Sequence, residues 1–129
     1  MIWYNIDVVE RYHKKNKRSE VFKMMEKLEK FTLYIGLNDQ HTKVQEISTL
    51  DAYKIVRSIA AQYFDGITVS EACGIYKHDD GTFVTENTLR VEILFADLES
   101  VKAFSDKIKQ VLNQESVAMQ REIVESQLI

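Results

Sequence analysis

The stretch from Lys77 to Ala96, KHDDGTFVTENTLRVEILFA, decides how this chain folds. Its "HDDG" is turn chemistry, because aspartate favours tight turns and Gly81 supplies a positive φ at no steric cost. The turn predicts a hairpin that joins a strand over residues 67–77 to a long strand over 82–95. In the second strand Leu89, Val91, Ile93 and Phe95 alternate with polar residues, the period of a half-buried strand. Phe83, Thr85 and Asn87 keep the same beat, so a row that should face the core begins with a ring, a hydroxyl and an amide.

Outward from the hairpin, the rest of the chain falls into alternating elements. Residues 31–37, "FTLYIGL", read as a strand rich in β-branched and aromatic residues. Ser48 caps a helix with Asp51 at the capping-box position. Ala52, Ile55, Val56, Ile59, Ala60 and Tyr63 form its stripe, and it stops at Asp65-Gly66, with Gly66 suited to the left-handed position. Asp97 caps a second helix with Val101, Phe104, Ile108 and Val111 inward. Residues 116–128 close as an alternating strand. The order β-α-β-β-α-β predicts an α+β, ferredoxin-like split βαβ sandwich, with two helices on one face of a four-stranded antiparallel sheet. Ahead of it, 1–30 reads as an added helical segment, with Ile6, Val9, His13, Phe22, Met25 and Leu28 at helical spacing. We therefore divide the chain into an N-terminal oligomerisation segment (1–30) and a ferredoxin-like body (31–129). The uncovered sheet face calls for that segment or a second subunit, which predicts a homodimer or a higher assembly of dimers.

Composition narrows the class. A chain of 129 residues, 45% hydrophobic, can bury a core of its own. The net charge of −3 argues against a whole-protein DNA binder. No run reaches the roughly 18 apolar residues of a membrane span, and no leader opens the chain, so a cytoplasmic protein is expected. Charge is unevenly spread: Arg11–Lys30 holds eight basic and three acidic residues, net +5, which leaves −8 on the rest. This basic stretch is either a solvated helix face or an anion or nucleotide site.

Catalytic constellations are lacking in the pattern. His13, His41 and His78 have no second ligand at metal spacing, and Cys73 lies on an apolar strand face as a small hydrophobe would. Gly36 and Gly74 stand singly inside strands, where a bulge or a close backbone approach is the ordinary reason. No metal, cofactor or enzyme activity is expected. Binding groups are better represented: Phe83 offers a stacking face and Asn87 an amide that can read a base edge. Arg90, Arg57, Gln120 and Arg121, with Asn113 and Gln114, add groups suited to phosphate and polar ligands. The competing reading is plain: Thr85 and Asn87 as frayed strand-end positions, and Arg90 in an ion pair with Glu92 or Glu122.

"LYIGLND", "STLDAYKIV", "GIYKHDDGTFVTENTLRVEILF" and "LNQESVAMQ" together resemble the phage-encoded Thoeris anti-defence sponge family, over residues 32 to 129. The resemblance implies a phage protein in the host bacterial cytoplasm that binds a cyclic ADP-ribose isomer (glycocyclic ADP-ribose) made by TIR-domain enzymes, and holds it uncleaved at a subunit interface. Phe83 would then shelve the adenine and Arg57, Arg90 and Arg121 the pyrophosphate, with Thr85, Asn87 and Gln120 on the ribose hydroxyls. It also implies a second site for cyclic oligonucleotides, for which Lys14, Lys17, Arg18 and Lys27 are the candidates. Two other readings stay open: a regulator resembling the nucleotide-carrying PII proteins, and a small metal-free ferredoxin-like enzyme.

Overall fold

A computed structural model of the chain describes residues 28–129. It contains four strands, β1 (Leu28–Gly36), β2 (Thr68–Lys77), β3 (Phe83–Leu94) and β4 (Ala118–Val124), and two helices, α1 (Thr49–Ala60) and α2 (Leu98–Val111). The strands form one antiparallel sheet in the order β2-β3-β1-β4. With a helix in each crossover, this is the ferredoxin-like α+β sandwich the alternation predicted.

The register makes the core. Phe31 pairs with Ile93, Leu33 with Val91 and Ile35 with Leu89, so one face of the two central strands is an unbroken apolar layer. Ala52, Val56, Ile59 and Ala60 of α1, with Val101, Phe104 and Ile108 of α2 and Leu112 beyond it, close over that layer. Both helices start where their caps predicted: Ser48 Oγ accepts the Asp51 N–H (3.1 Å) and Asp97 Oδ1 accepts the Ser100 N–H (2.8 Å). Each cap satisfies a donor that the first helical turn otherwise leaves without a partner.

Several boundaries differ from the sequence reading. Residues 28–30 are strand, not helix: Leu28 pairs with Val124 and Lys30 with both Leu94 and Glu122. Cross-strand pairing therefore wins over the helical spacing of Leu28. The rest of the N-terminal segment, with Lys14, Lys17, Arg18 and Lys27, lies outside the described residues. Gly81 has the expected positive φ (90°), but Gly66 does not. Instead α1 runs out through a tight turn in which Ala60 O accepts both the Tyr63 and the Phe64 N–H. β3 ends at Leu94 because Phe95 turns left-handed (φ 59°), which takes it out of the alternating row. Val111 is exposed and Leu112 takes the buried place expected of it.

The second sheet face is polar. Lys30, Thr32, Arg90, Glu92 and Glu122 share it, with Lys30 bridging Glu92 (3.6 Å) and Glu122 (3.9 Å) and Arg90 paired with Glu92. A subunit docking there would meet charges and hydroxyls rather than an apolar layer. No helix among the described residues is long and apolar enough to cross a membrane.

Candidate functional site

The polar face deepens at one end into a cleft of about 480 Å³. Its floor is Tyr34 and Gly36 of β1 with Val84, Glu86 and Thr88 of β3. Tyr76 and His78 wall it from the hairpin, and residues 38–40 with Lys43 and residues 114–116 wall it from the two loops.

Glu86 organises this cleft. It stands opposite Gly74 in the β2–β3 register, so no neighbouring side chain crowds it on that strand. Its carboxylate folds over Gly36, where an added Cβ would lie only 2.7 Å from Oε2. There Oε2 accepts the Asn38 N–H (2.9 Å). Both strand glycines thus flank one acidic side chain, and at Gly36 the close backbone approach is made by that carboxylate.

The loop that supplies the Asn38 N–H is held by a polar latch. Gln114, buried, donates from Nε2 to the carbonyls of Asn38 (2.8 Å) and Leu112 (3.2 Å). Asn113, left-handed at φ 49°, donates Nδ2–H to Asp39 Oδ2 (2.7 Å) and accepts from Gln40 Nε2 (2.8 Å). Asp39 also accepts the N–H groups of His41 (2.8 Å) and Thr42 (3.0 Å). The Asn113 amide, then the backbone donors, hold the Asp39 carboxyl well below the usual range, at about 2. A carboxyl depressed in the fold stabilises it above the unfolded pKa of 3.8, and this contribution disappears as pH falls toward 2. Asp39→Asn should therefore flatten, though not abolish, the loss of stability between those values, because Asp80 and Asp97 are depressed as well. Urea titrations at a series of acidic pH values check this; an unchanged acid slope would show that the latch is not coupled to folding.

Of the residues singled out from sequence, Gln114 lines this cleft and Asn113 braces its loop, while the others do not gather there. Phe83, Thr85 and Asn87 lie on the other face of β3, where the hairpin runs on past the helices. Phe83 is 69% exposed, with Lys77 Nζ 5.8 Å from its ring centroid, and Asn87 Nδ2 donates to Gln45 Oε1 (2.8 Å). Cys73, paired with Asn87 in the register, is exposed for the same reason rather than packed as a core residue. Phe83→Ala should leave the melting temperature within a few degrees, which thermal denaturation checks; cooperative loss of the fold would mean the hairpin arm is buried in an assembly. Arg90 pairs with Glu92 and donates from Nε to Tyr34 Oη (3.4 Å), reaching the cleft at second hand. Gln120 shares the polar face opposite Thr32. Arg121 faces the helix side, paired with Glu29 and 5.9 Å from the Phe31 ring centroid. Arg57 lines a separate cavity beside α1. Glu86, Tyr34 and Tyr76 were not singled out; the one signal in the sequence was the pair of lone strand glycines, which marks a close approach without naming what makes it.

The described residues hold no cluster of three or more His, Cys, Asp or Glu able to bind a metal. Chemically, the cleft offers one anchored carboxylate, two phenol rings, an imidazole and, at its rim, the Lys43 ammonium.

Solved structures share this fold. A phage SAM lyase in complex with S-methyl-5'-thioadenosine is 18% identical with a TM-score of 0.56, covering 77% of this chain and 90% of that one. The phage SAM lyase in its apo state is 20% identical with the same TM-score, over 77% and 84%. CutA from Synechococcus elongatus complexed with Bis-Tris is 8% identical with a TM-score of 0.52, over 80% and 86%. At these identities the likeness is one of fold. It nonetheless corrects the expectation of a protein without enzyme activity, since a structure matching most of the body is a lyase. A ferredoxin-like body that looks bare of catalytic pairs in sequence is thus no argument against catalysis. No curated protein matches the chain. The family model described as protein of unknown function, DUF3574, matches residues 30–127, and the chain belongs to that family.

Proposed function

We propose that this protein binds an adenosine-bearing small molecule in the Glu86 cleft and acts on it as an enzyme, in the service of a phage against its bacterial host. The observation that carries the reading is the Glu86 carboxylate, seated over Gly36 on the Asn38 N–H and presented to a cleft lined by Tyr34 and Tyr76. Two phenol rings suit an adenine, since ring stacking contributes about 1–3 kcal/mol per base. A fixed carboxylate suits a ligand with a positive centre, and the sulfonium of S-adenosylmethionine is one. As that sulfur's bond to the methionyl Cγ breaks, the substrate's own carboxylate oxygen bonds to Cγ and closes a five-membered lactone, while the sulfur keeps the bonding pair and leaves as the neutral thioether S-methyl-5'-thioadenosine. Glu86 would hold the sulfonium in place, and Arg90 would fix the Tyr34 ring through its hydroxyl. The likeness to a lyase complexed with that thioether supports the choice of ligand.

A cyclic ADP-ribose isomer is the second ligand that the cleft suits. It has the same adenosine, and Lys43 at the rim offers a cation to its pyrophosphate. This reading draws on the resemblance to Thoeris anti-defence proteins. Assembly into dimers or larger units, and a place in the host cytoplasm, belong to both readings.

Incubation with S-adenosylmethionine, followed by mass spectrometry, should yield S-methyl-5'-thioadenosine in excess of the protein. Glu86→Gln, which removes the charge and keeps the shape, should reduce that yield at least about 100-fold; a carboxylate facing a cation is worth a few kcal/mol in a desolvated site. Intact S-adenosylmethionine beside calorimetric uptake of cyclic ADP-ribose would favour the second ligand. Binding of neither overturns the reading.

A further inference from the structure

A second cavity, of about 470 Å³, lies on the helix side of the sheet at its β2 edge. This is within the size range of small-ligand sites, about 300–1,000 Å³. Its wall is apolar: Tyr53 and Ala60 of α1, Phe64 after it, then Ile67 and Val69 leading into β2. Tyr53, Phe64, Ile67 and Val69 are only partly buried, and they back onto the core. Their outer sides form an apolar concavity that the described residues do not fill.

Two charges stand among these lining groups, Arg57 and Asp65. They make no ion pair with each other, and no ion-pair partner for Arg57 exists among the described residues. Arg57 belongs to the last turn of α1 and Asp65 follows its end. The C-terminal end of a helix carries partial negative charge, which adds to Asp65 and favours an ammonium beside it. A guanidinium with its fork free suits a carboxylate, since it can donate two parallel N–H bonds.

We propose that this cavity binds a free α-amino acid with a large apolar side chain. Its carboxylate meets Arg57, its ammonium meets Asp65 and the end of α1, and its side chain lies against Phe64, Ile67 and Val69. A purely apolar ligand would leave both charges without purpose, and a simple anion would meet Asp65 at like charge. The site is independent of the Glu86 cleft, which lies on the opposite face of the sheet.

Calorimetric titration of the full chain with L-phenylalanine, L-leucine and L-methionine tests this. Saturable binding is expected for at least one, with L-phenylalanine as the reference. 3-Phenylpropionate lacks the ammonium and phenethylamine lacks the carboxylate; each should bind about tenfold or more weakly. Arg57→Gln should weaken L-phenylalanine about tenfold while leaving phenethylamine unchanged, and Asp65→Asn should do the reverse, sparing 3-phenylpropionate. Both positions are exposed, and circular dichroism verifies that the variants fold. Absence of saturable binding by all three amino acids at millimolar concentration would overturn the proposal. So would an Arg57→Gln effect equal for ligands with and without a carboxylate, because the guanidinium would then act on the fold and not on the ligand.

Discussion

Gly36→Ala should abolish the activity or ligand uptake of the Glu86 cleft while leaving the fold nearly intact. The added methyl group falls within 2.7 Å of Glu86 Oε2, closer than van der Waals contact allows, and what it meets is the far end of a flexible side chain. Glu86 can rotate away, so the backbone need not move. The hydrogen bond to the Asn38 N–H is then lost. A carboxylate released into the cleft takes up many positions, and a misplacement of about 1 Å can cost on the order of 100-fold in rate. The stability change is the sum of one lost hydrogen bond, about 1 kcal/mol, and a partly compensating gain from stiffening the unfolded chain, about 0.4–1 kcal/mol. The expected pattern is a melting temperature within a few degrees of the parent and a functional loss that matches Glu86→Gln. The double variant should be no worse than either single change, because both remove the same group from the same place. Undiminished function in Gly36→Ala would show that the anchored position of Glu86 does not matter.

Phe104→Ala carries the largest expected effect on stability. Phe104, on the inward face of α2, is fully buried. Its ring meets Phe64 edge-on at 5.2 Å and Tyr63 at 6.1 Å. Truncating a buried phenylalanine costs about 3–5 kcal/mol, because the cavity left behind closes only in part. For a chain of this size that lowers the melting temperature by roughly 10–20 °C. The same truncation at Phe83 removes a ring already in water, so the two phenylalanines should differ by several kcal/mol in urea titrations. A small effect at Phe104 would mean that Tyr63 and Phe64 can collapse into the space.

The contrast between these two phenylalanines bears on how much could be read from the chain alone. Phe83 and Leu89 lie six residues apart on one alternating row, and the period assigns them the same face. They do share that face. What periodicity does not report is where the covering helices stop: they shield Leu89, Val91 and Ile93 but leave Phe83 and Cys73 in solvent. Burial depends on a second layer, and the length of that layer is no property of the strand. For the same reason Leu28 reads as one more helical residue until β4 is there to pair with it.

The order of strands and helices along the chain, the helix caps and the turn at Gly81 were determined by the sequence itself, because each rests on contacts within a few residues: an alternating period, a side chain closing on a nearby N–H, a glycine free to turn. The cleft was decided only by tertiary structure. Gly36, Asn38, Gly74, Glu86 and Gln114 come from three strands and two loops, and their relation depends on cross-strand register, which brings distant positions to one place. A lone glycine in a strand announces that something approaches it closely, and the folded chain alone names that partner as Glu86.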